Sequence, residues 1–172
     1  MIRKEFAYTI FLTAICLLSC NQSQKVAESI SQDTIPFLGR LIVDNDSVYE
    51  QIAAIAENDS MLSYCDSVLK IGEVGWGINI GGPRLHISLL TSVQPEAPEM
   101  KPVVQYLIGI YGEPWDNVMG ELYKIDDDNF DCSDLVWPAY YDSTAIDQGS
   151  AHLRRVKTDD ESDEGGSVLF FY

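Results

Sequence analysis

Residues 74–90 read VGWGINIGGPRLHISLL, and this stretch decides the fold. On both sides of Gly81-Gly82-Pro83, every second residue is apolar. Alternation with a period of two is typical of a strand that buries one face, and a Gly-Gly-Pro sequence is typical of a turn. The stretch therefore predicts a β-hairpin whose apolar face carries Val74, Trp76, Ile78, Ile80, Leu85, Ile87 and Leu89.

Apolar residues at helical spacing predict two helices before this hairpin. Residues 47–50 (SVYE) have the spacing of a capping box, in which a serine and a glutamate satisfy free N–H groups at a helix start. Apolar residues follow at helical intervals through Ala56. A second helix is expected over 59–70, capped by one of its first two residues and stopped at Gly72.

The chain after the hairpin predicts one more helix and several short strands. Pro102 suits the first turn of a helix, and Gly112 followed by Pro114 suits its end. A short apolar run at 37–43 is a further strand or a packed lead-in. The strand candidates beyond the helix are 121–125, 135–137, 143–146, 152–157 and 168–172.

Taken together, these elements predict an α+β fold. Helices are expected to pack on one face of an antiparallel sheet, in the order α-α-β-β-α-β-β-β-β. The chain has 172 residues, and its length fits one domain with a sizeable core.

One passage resembles a known family. The helix that ends at Tyr111-Gly112-Glu113-Pro114, followed by tryptophan-bearing strands, is similar to a passage in small periplasmic lipoproteins of the SmpA/OmlA type, whose folds are related to those of secreted β-lactamase inhibitors. The similarity covers 102–137, and this chain has an extra helical half and more strands. The resemblance implies a fold and carries no function.

The first twenty residues have the layout of a secretory signal. Arg3 and Lys4 supply positive charge, and an apolar run spans 6–18. That run is shorter than the about 20 residues that a membrane-spanning helix needs. Leu17-Leu18-Ser19-Cys20 resembles the lipobox of bacterial lipoproteins, in which the cysteine sulfur takes a diacylglyceryl group and the chain is cut just before it. The alternatives are an ordinary cleaved signal and a core segment.

The lipoprotein resemblance implies three parts of the chain. They are a removed signal peptide at 1–19, a lipidated Cys20 with a polar tether at 20–34, and a single α+β domain at 35–172. Two or three acyl chains would hold the protein firmly at a membrane. Asn21 is not the aspartate that retains some members of this family at the inner membrane. The implied location is the outer membrane of a Gram-negative-type envelope, facing the periplasm.

The chain is strongly acidic. It has 27 Asp and Glu against 11 Lys and Arg, a formal net charge of −16. Nucleic-acid binding needs clustered cations against phosphates, so we exclude that class of partner. A basic partner or a cation would be favoured, although such charge often serves solubility.

The cysteines divide by compartment. With Cys16 removed and Cys20 lipidated, Cys65 and Cys132 remain in a space where disulfides persist. A bridge between them is one interpretation. The other is that Cys65, on a helical apolar face, is a small buried hydrophobe.

The sequence contains no complete catalytic motif. Ser67-Val68-Leu69-Lys70 matches the S-x-x-K of penicillin-recognising enzymes. Ser133-Asp134-Leu135 and Lys157-Thr158-Asp159 depart from the companion motifs at their final residues.

Metal-binding patterns are incomplete as well. The acidic run at 126–134 lacks the mid-loop glycine of a calcium-binding EF-hand loop. His86 and His152 have no companion ligands at zinc spacing. We therefore predict no metal and no cofactor.

The aromatic residues have two interpretations, as core and as a recognition surface. They include Trp76, Trp115 and a cluster at 137–141. A proline within an aromatic cluster makes that cluster hard to bury whole. The predicted recognition surface is therefore Trp137, Pro138, Tyr140 and Tyr141.

These patterns favour a non-enzymatic envelope lipoprotein that binds or supports another envelope protein and contacts the membrane through its N-terminal lipid. The first alternative is an immunity or inhibitor protein that uses acidic loops, such as 159–164, against a basic secreted partner. The second is a hydrolase whose catalytic residues meet only in space.

Overall fold

The computed structural model describes residues 34–81, 85–138, 149–156 and 165–172. Residues Thr34–Tyr172 belong to one compact unit. The strands and helices within the described residues are β1 (Thr34–Phe37), β2 (Arg40–Val43), α1 (Val48–Glu57), β3 (Leu62–Cys65), β4 (Val68–Ile71), β5 (Val74–Gly81), β6 (His86–Thr91), α2 (Met100–Tyr111), β7 (Trp115–Asp116), β8 (Glu121–Leu122), β9 (Asp134–Pro138), β10 (Gly149–Arg155) and β11 (Ser167–Phe171).

The strands form two sheets with antiparallel pairing. The larger has nine strands in the order β3-β4-β5-β6-β11-β10-β9-β7-β8, and β1 and β2 pair as a separate hairpin. The predicted hairpin over 74–90 is confirmed, because β5 pairs with β6 and places Ile78 opposite Leu89 and Ile80 opposite Ile87. Its predicted turn residues Gly82 and Pro83 lie outside the described residues.

One face of the nine-stranded sheet forms the main part of the core. Residues that pair directly across neighbouring strands point to the same face of the sheet. The pairing registers therefore place apolar side chains of successive strands on one common face. Each buried large side chain contributes about 1.5–3 kcal/mol relative to exposure. The buried row is Leu62, Leu69, Ile71, Val74, Trp76, Ile87, Leu89, Leu169, Phe171, Leu153, Ala151, Leu135 and Trp137.

Both helices contribute to the same core. Ile52 of α1 and Val103 and Leu107 of α2 are fully buried in the cluster that contains the sheet row. The α+β class and the antiparallel sheet are therefore confirmed. Strand makes up more of the structure, and helix less, than the predicted element order implies. None of the helices in the described ranges is both long and apolar enough to cross a membrane.

The helix predicted over 59–70 is wrong. This segment is the β3–β4 hairpin, closed by Asp66 and Ser67 with φ of 51° and 64°. Two successive residues with positive φ are typical of the tight turn whose twist matches that of the flanking strands. Leu69 and Ile71 of β4 then point into the core, while Val68 and Lys70 are exposed.

The run at 37–43 is also a hairpin rather than one strand. Leu38 and Gly39 form its two-residue turn with φ of 46° and 78°. A side chain at Gly39 would meet Ile110 Cγ2 at 2.9 Å, so glycine suits this turn in both conformation and space.

Helix α1 is confirmed, although its start differs from the predicted capping box. Ser47 makes no side-chain cap hydrogen bond. Its N–H and hydroxyl instead donate to Asn45 Oδ1 at 2.8 and 2.5 Å. From the second turn of the helix, Gln51 reaches back to β2: its Oε1 accepts from Val43 N at 2.9 Å, and its Nε2 donates to Val43 O at 3.0 Å.

The second half of the chain largely follows the prediction. Helix α2 ends at Tyr111, and Gly112 follows with φ of 84°. The strands predicted at 135–137, 152–157 and 168–172 correspond to β9, β10 and β11. The strand predicted at 121–125 shortens to Glu121–Leu122. The strand predicted at 143–146 lies outside the described residues.

Candidate functional site

The β7–β8 hairpin is built on one aspartate and one glycine. Asp116 Oδ1 accepts from the N–H groups of Val118 and Met119, both at 2.9 Å. Asp116 O accepts from Gly120 N at 2.8 Å, and Gly120 has φ of 71°. The four-residue loop 117–120 therefore has a defined conformation that is fixed locally by its own sequence.

This defined turn presents large apolar side chains to solvent. Val118 is 70 % exposed, Met119 is 69 % exposed and Leu122 is 56 % exposed. We call these three residues, together with half-buried Trp115, the hairpin surface. Scattered apolar residues are normal on a protein surface, whereas neighbouring ones held on one short hairpin make it a candidate for binding.

A cleft of about 870 Å³ lies against the hairpin surface. Five carboxylates and one lysine are among its lining residues. The charged lining residues are Asp116, Glu121, Lys124, Asp126, Asp131 and Asp134.

The cleft carboxylates are held mainly by amide and backbone groups. Asp126 accepts from Asp128 N at 3.0 Å and from Asn129 Nδ2 at 3.3 Å, and these bonds lower the pKa of Asp126. Asp131 accepts from Ser133 N at 2.9 Å. In the described parts of the chain, no lysine or arginine forms an ion pair with a carboxylate of this cleft. The cleft therefore keeps a strong negative charge.

Tyr123 lines this cleft, and its hydroxyl is turned into the core. Its side chain is only 7 % exposed, and its hydroxyl oxygen is buried without a hydrogen-bond partner among the described residues. Burial raises the pKa of Tyr123, and the Cys132 thiol and the carboxylates of Asp131, Asp116 and Asp126 raise it further. The phenol thus stays protonated beside three of the cleft carboxylates.

The outward face of the sheet continues from the hairpin surface. The pairing registers place Trp115, Val136, His152 and Phe170 in one cross-strand row. The rings of Phe170 and His152 lie 6.5 Å apart, and His152 Nε2 lies 2.6 Å from Asp134 Oδ1. A hydroxyl or thiol hydrogen-bonded to His152, which a nucleophilic triad requires, is not found in the described ranges.

The predicted recognition surface is placed differently. Trp137 is fully buried, and its indole Nε1 donates to Gly112 O at 2.9 Å, so assigning it to a surface was wrong. The sheet register turns this side chain inward opposite Ala151. Pro138 ends β9, and Tyr140 and Tyr141 lie outside the described residues.

Cys65 and Cys132 are both free. Cys65 is exposed at the end of β3, and Cys132 is buried, with its Sγ donating to Pro95 O at 2.9 Å. Cys65 lies on β3, which is one edge of the nine-stranded sheet. Cys132 precedes β9, which is the seventh strand counted from that edge. The predicted bridge is therefore not formed here. Cys65 is also not the buried hydrophobe of a helix, because 62–65 is a strand.

The fold does not give the remaining sequence motifs the geometry that catalysis or metal binding requires. Ser67 lies in a turn and Lys70 on a strand, so they lack the one-turn helical spacing of an S-x-x-K site. His86 is half-buried at the start of β6, away from His152 on β10. Among the described residues, no group of three His, Cys, Asp or Glu side chains is arranged to hold a metal ion. Cys20 and the lipobox lie outside those residues.

Sequence reasoning missed Val118, Met119, Leu122 and Tyr123. One local signal was available: Asp116, a hydrogen-bond acceptor, comes directly before a four-residue loop whose last residue is Gly120. That pattern predicts a hairpin. It does not reveal that the apolar residues of the loop stay exposed.

The chain was compared with protein families, curated proteins and solved structures. No family model matches it, and neither a curated protein nor a solved structure does. The similarity of 102–137 to lipoproteins of the SmpA/OmlA type and the lipobox assignment both stay predictions from the sequence.

Proposed function

We propose that this chain is a non-enzymatic envelope lipoprotein that binds another envelope protein through its hairpin surface. The supporting observation is the exposure of Val118, Met119 and Leu122 on a hairpin whose turn is fixed by Asp116. A rigid apolar projection contributes nothing to the core of this chain. It loses little conformational entropy when a partner covers it, which favours binding.

The second part of the proposal is the anchor. A lipid on Cys20 would hold the protein at the outer membrane, facing the periplasm, and the residues between Cys20 and the start of β1 would serve as a tether. Two acyl chains suffice for stable anchoring, whereas one is marginal.

The inward face of the sheet is not free for such a role. We infer that both helices cover the inward face, because Ile52 of α1 and Leu107 of α2 join the core cluster with the inward sheet residues. In the outward row that begins at Trp115, Val136 is only 3 % exposed, so the proposed contact is made by the hairpin surface.

A photo-crosslinking residue at Met119 tests the binding surface in cells. We expect one recurrent adduct with an envelope protein, and we expect Val118→Asp to abolish it because a charge would be buried in the apolar interface. The matched control places the crosslinker at Tyr49 of α1, which is also exposed. The same adduct from both positions, or an adduct unaffected by Val118→Asp, would contradict the proposal.

Fractionation tests the anchor separately. We expect Cys20→Ser to release the protein from membranes and to remove the acyl mass from its N-terminal peptide. Lipid anchoring would be ruled out if Cys20→Ser sediments as strongly as the wild type and if the wild-type N-terminal peptide carries no acyl mass.

The acidic cleft favours one further function, an immunity or inhibitor protein acting on a basic secreted partner. Five carboxylates beside an apolar projection suit a cationic interface. This function predicts that binding weakens strongly at about 1 M salt, where the Debye length falls to about 3 Å. Binding dominated by the apolar residues would change little.

The loop 159–164, proposed for the same role, lies outside the described residues. The hydrolase hypothesis gains no support from the His152–Asp134 pair, which lacks a nucleophile in the described ranges.

A further inference from the structure

We propose that the partner presents an extended segment that adds to the β8 edge of the nine-stranded sheet as one more strand. This inference rests on the proposed function, because it assigns the shape of the partner at the hairpin surface. The supporting observation is the backbone of Leu122, whose N–H and C=O groups point away from β7 and remain open to a second chain.

The hydrogen bonds of the β7–β8 hairpin set the direction of those two groups. In an antiparallel ladder, opposite residues alternate between pairs that exchange hydrogen bonds and pairs whose polar groups point outward. Tyr123 N donates to Pro114 O at 2.9 Å, so this pair is of the bonded kind. The next pair, Leu122 with Trp115, is therefore of the outward kind. The Leu122 groups face the open side of β8, where none of the described residues bonds them.

The neighbouring strand β7 has no such open side. Asn117 N donates to Asp134 O at 3.0 Å across the β7–β9 ladder. Trp115 and Val136 lie two residues further along this ladder and form the next bonded pair. The outward groups of Trp115 are thus taken by β9, whereas those of Leu122 have no strand beside them.

Backbone groups on the other edge strands are partly occupied by this chain itself. On β2, the Gln51 amide bonds both polar groups of Val43. On β3, Leu62 N donates to Asp59 O at 3.1 Å, and helix α1 packs against the strand. A strand laid along β2 or β3 therefore meets groups that already have partners, and β8 offers no such obstacle.

Exposed side chains at β8 give the added strand its selectivity. Main-chain hydrogen bonds bind any extended segment, and the side chains beside them select its sequence. The residue that pairs with Leu122 would point to the same face as Leu122 and Trp115. An apolar or aromatic side chain there would cover both. Val118 and Met119 lie on the adjoining turn and enlarge the apolar contact.

The charge of this chain favours a different protein over a second copy as the source of the segment. Two copies paired through β8 would bring together two acidic clefts on chains of formal net charge −16 each. Like charges facing each other destabilise an interface. The segment is therefore expected to be neutral or basic.

Leu122→Pro tests the strand addition through the Met119 crosslink in cells. Proline lacks the N–H that the added strand would use, and it is tolerated at an edge where the fold leaves that N–H free. Leu122→Ala is the matched control, because it removes the leucine side chain and keeps the N–H. We expect the adduct yield of Leu122→Pro to fall at least about fivefold below that of Leu122→Ala, the effect of losing one hydrogen bond. Leu41→Pro, the same change at an exposed leucine of β2, should leave the yield unchanged.

Amide hydrogen exchange tests the premise without the partner. In the full lipidated chain in detergent micelles, the Leu122 amide should exchange at least about tenfold faster than the Tyr123 amide, which bonds Pro114 O. Slow exchange at Leu122 would show that its N–H has a partner within this chain and would overturn the inference. Should Leu122→Pro unfold more readily than Leu122→Ala, the exchange rate decides in its place.

The crosslinking outcomes separate this inference from the proposed function. Equal yields in Leu122→Pro and Leu122→Ala would overturn strand addition, and the Met119 adduct would still support a contact made by side chains. An adduct between two copies of this chain would reject a different protein as the source of the segment. No adduct in the wild type would reject the proposed function and the strand addition together.

Discussion

The two edge strands of the nine-stranded sheet, β3 and β8, use their apolar residues in opposite ways. All four residues of β3 pair with β4, helix α1 packs against β3, and Leu62 is buried. Strand β8 has two residues, and its Leu122 is mostly exposed beside Val118 and Met119. One edge completes the core, whereas the other holds apolar groups that the fold does not need. The proposed binding surface therefore lies at the edge that contributes less to the core.

The largest expected effect compares one leucine at each edge. Leu62→Ala should lower the free energy of unfolding by about 3 kcal/mol, because it removes buried methyl groups and leaves a cavity. Leu122→Ala should change it by less than about 0.5 kcal/mol, because its side chain is mainly in solvent. Urea unfolding of both variants measures the difference. Equal losses would mean that β8 belongs to the core and would remove the contrast.

A second contrast concerns two tyrosine hydroxyls. The Tyr106 hydroxyl donates to Asp59 Oδ2 at 2.7 Å just before β3, whereas the Tyr123 hydroxyl has no partner among the described residues. Tyr106→Phe should lower the free energy of unfolding by about 1.5 kcal/mol, the typical effect of losing a hydrogen bond to a charged group. Tyr123→Phe should leave it unchanged or raise it. Thermal unfolding distinguishes the two, and a clear loss of stability in Tyr123→Phe would argue that its hydroxyl has a partner.

The turn of the β7–β8 hairpin gives a smaller effect. Gly120 has positive φ, and nothing lies within 4 Å of a side chain added there. Gly120→Ala should therefore cost about 1 kcal/mol through backbone strain alone. The same variant should lower the yield of the Met119 crosslink, because the hairpin surface loses its fixed conformation. An unchanged crosslink yield would show that binding does not depend on the turn.

The smallest effect concerns a carboxylate that already has a cation. The hydrogen bond from Arg155 lowers the pKa of Glu96. A lowered folded-state pKa gives stability that is present above the unfolded value of about 4.3 and is lost as the pH falls through the folded value. Because this pair is half exposed, Glu96→Gln should cost at most about 0.5 kcal/mol at pH 7. Unfolding at pH 7 and pH 3 should show the difference shrinking in acid, and a difference of the same size at both pH values would assign it to packing.

Part of this fold was predictable because its signals are local. The alternation at 74–90 predicts strands with one buried face from local sequence alone. Pro102 and Gly112 likewise mark the start and the end of a helix. The segment 59–70 misled because Leu62 and Leu69 fit a helical spacing as well as two short strands. Its turn at Asp66 and Ser67 contains no glycine to announce it.

The candidate site was less predictable because it depends on distant contacts. Trp137 is buried through an acceptor, Gly112 O, that lies 25 positions earlier in the chain. The exposure of Val118 and the missing partner of Tyr123 depend on which strands neighbour the hairpin, and the pairing of β7 with β9 sets those neighbours. No local pattern carries that information.

The Gln51 amide that bonds both polar groups of Val43 has a consequence for crowded conditions. It occupies the Val43 end of β2 as a neighbouring strand would, so a foreign strand must displace it before pairing there. Copies of this protein at high local density would thereby be discouraged from joining edge to edge into fibrils, although Leu41 and Val43 expose the apolar side chains that such growth exploits.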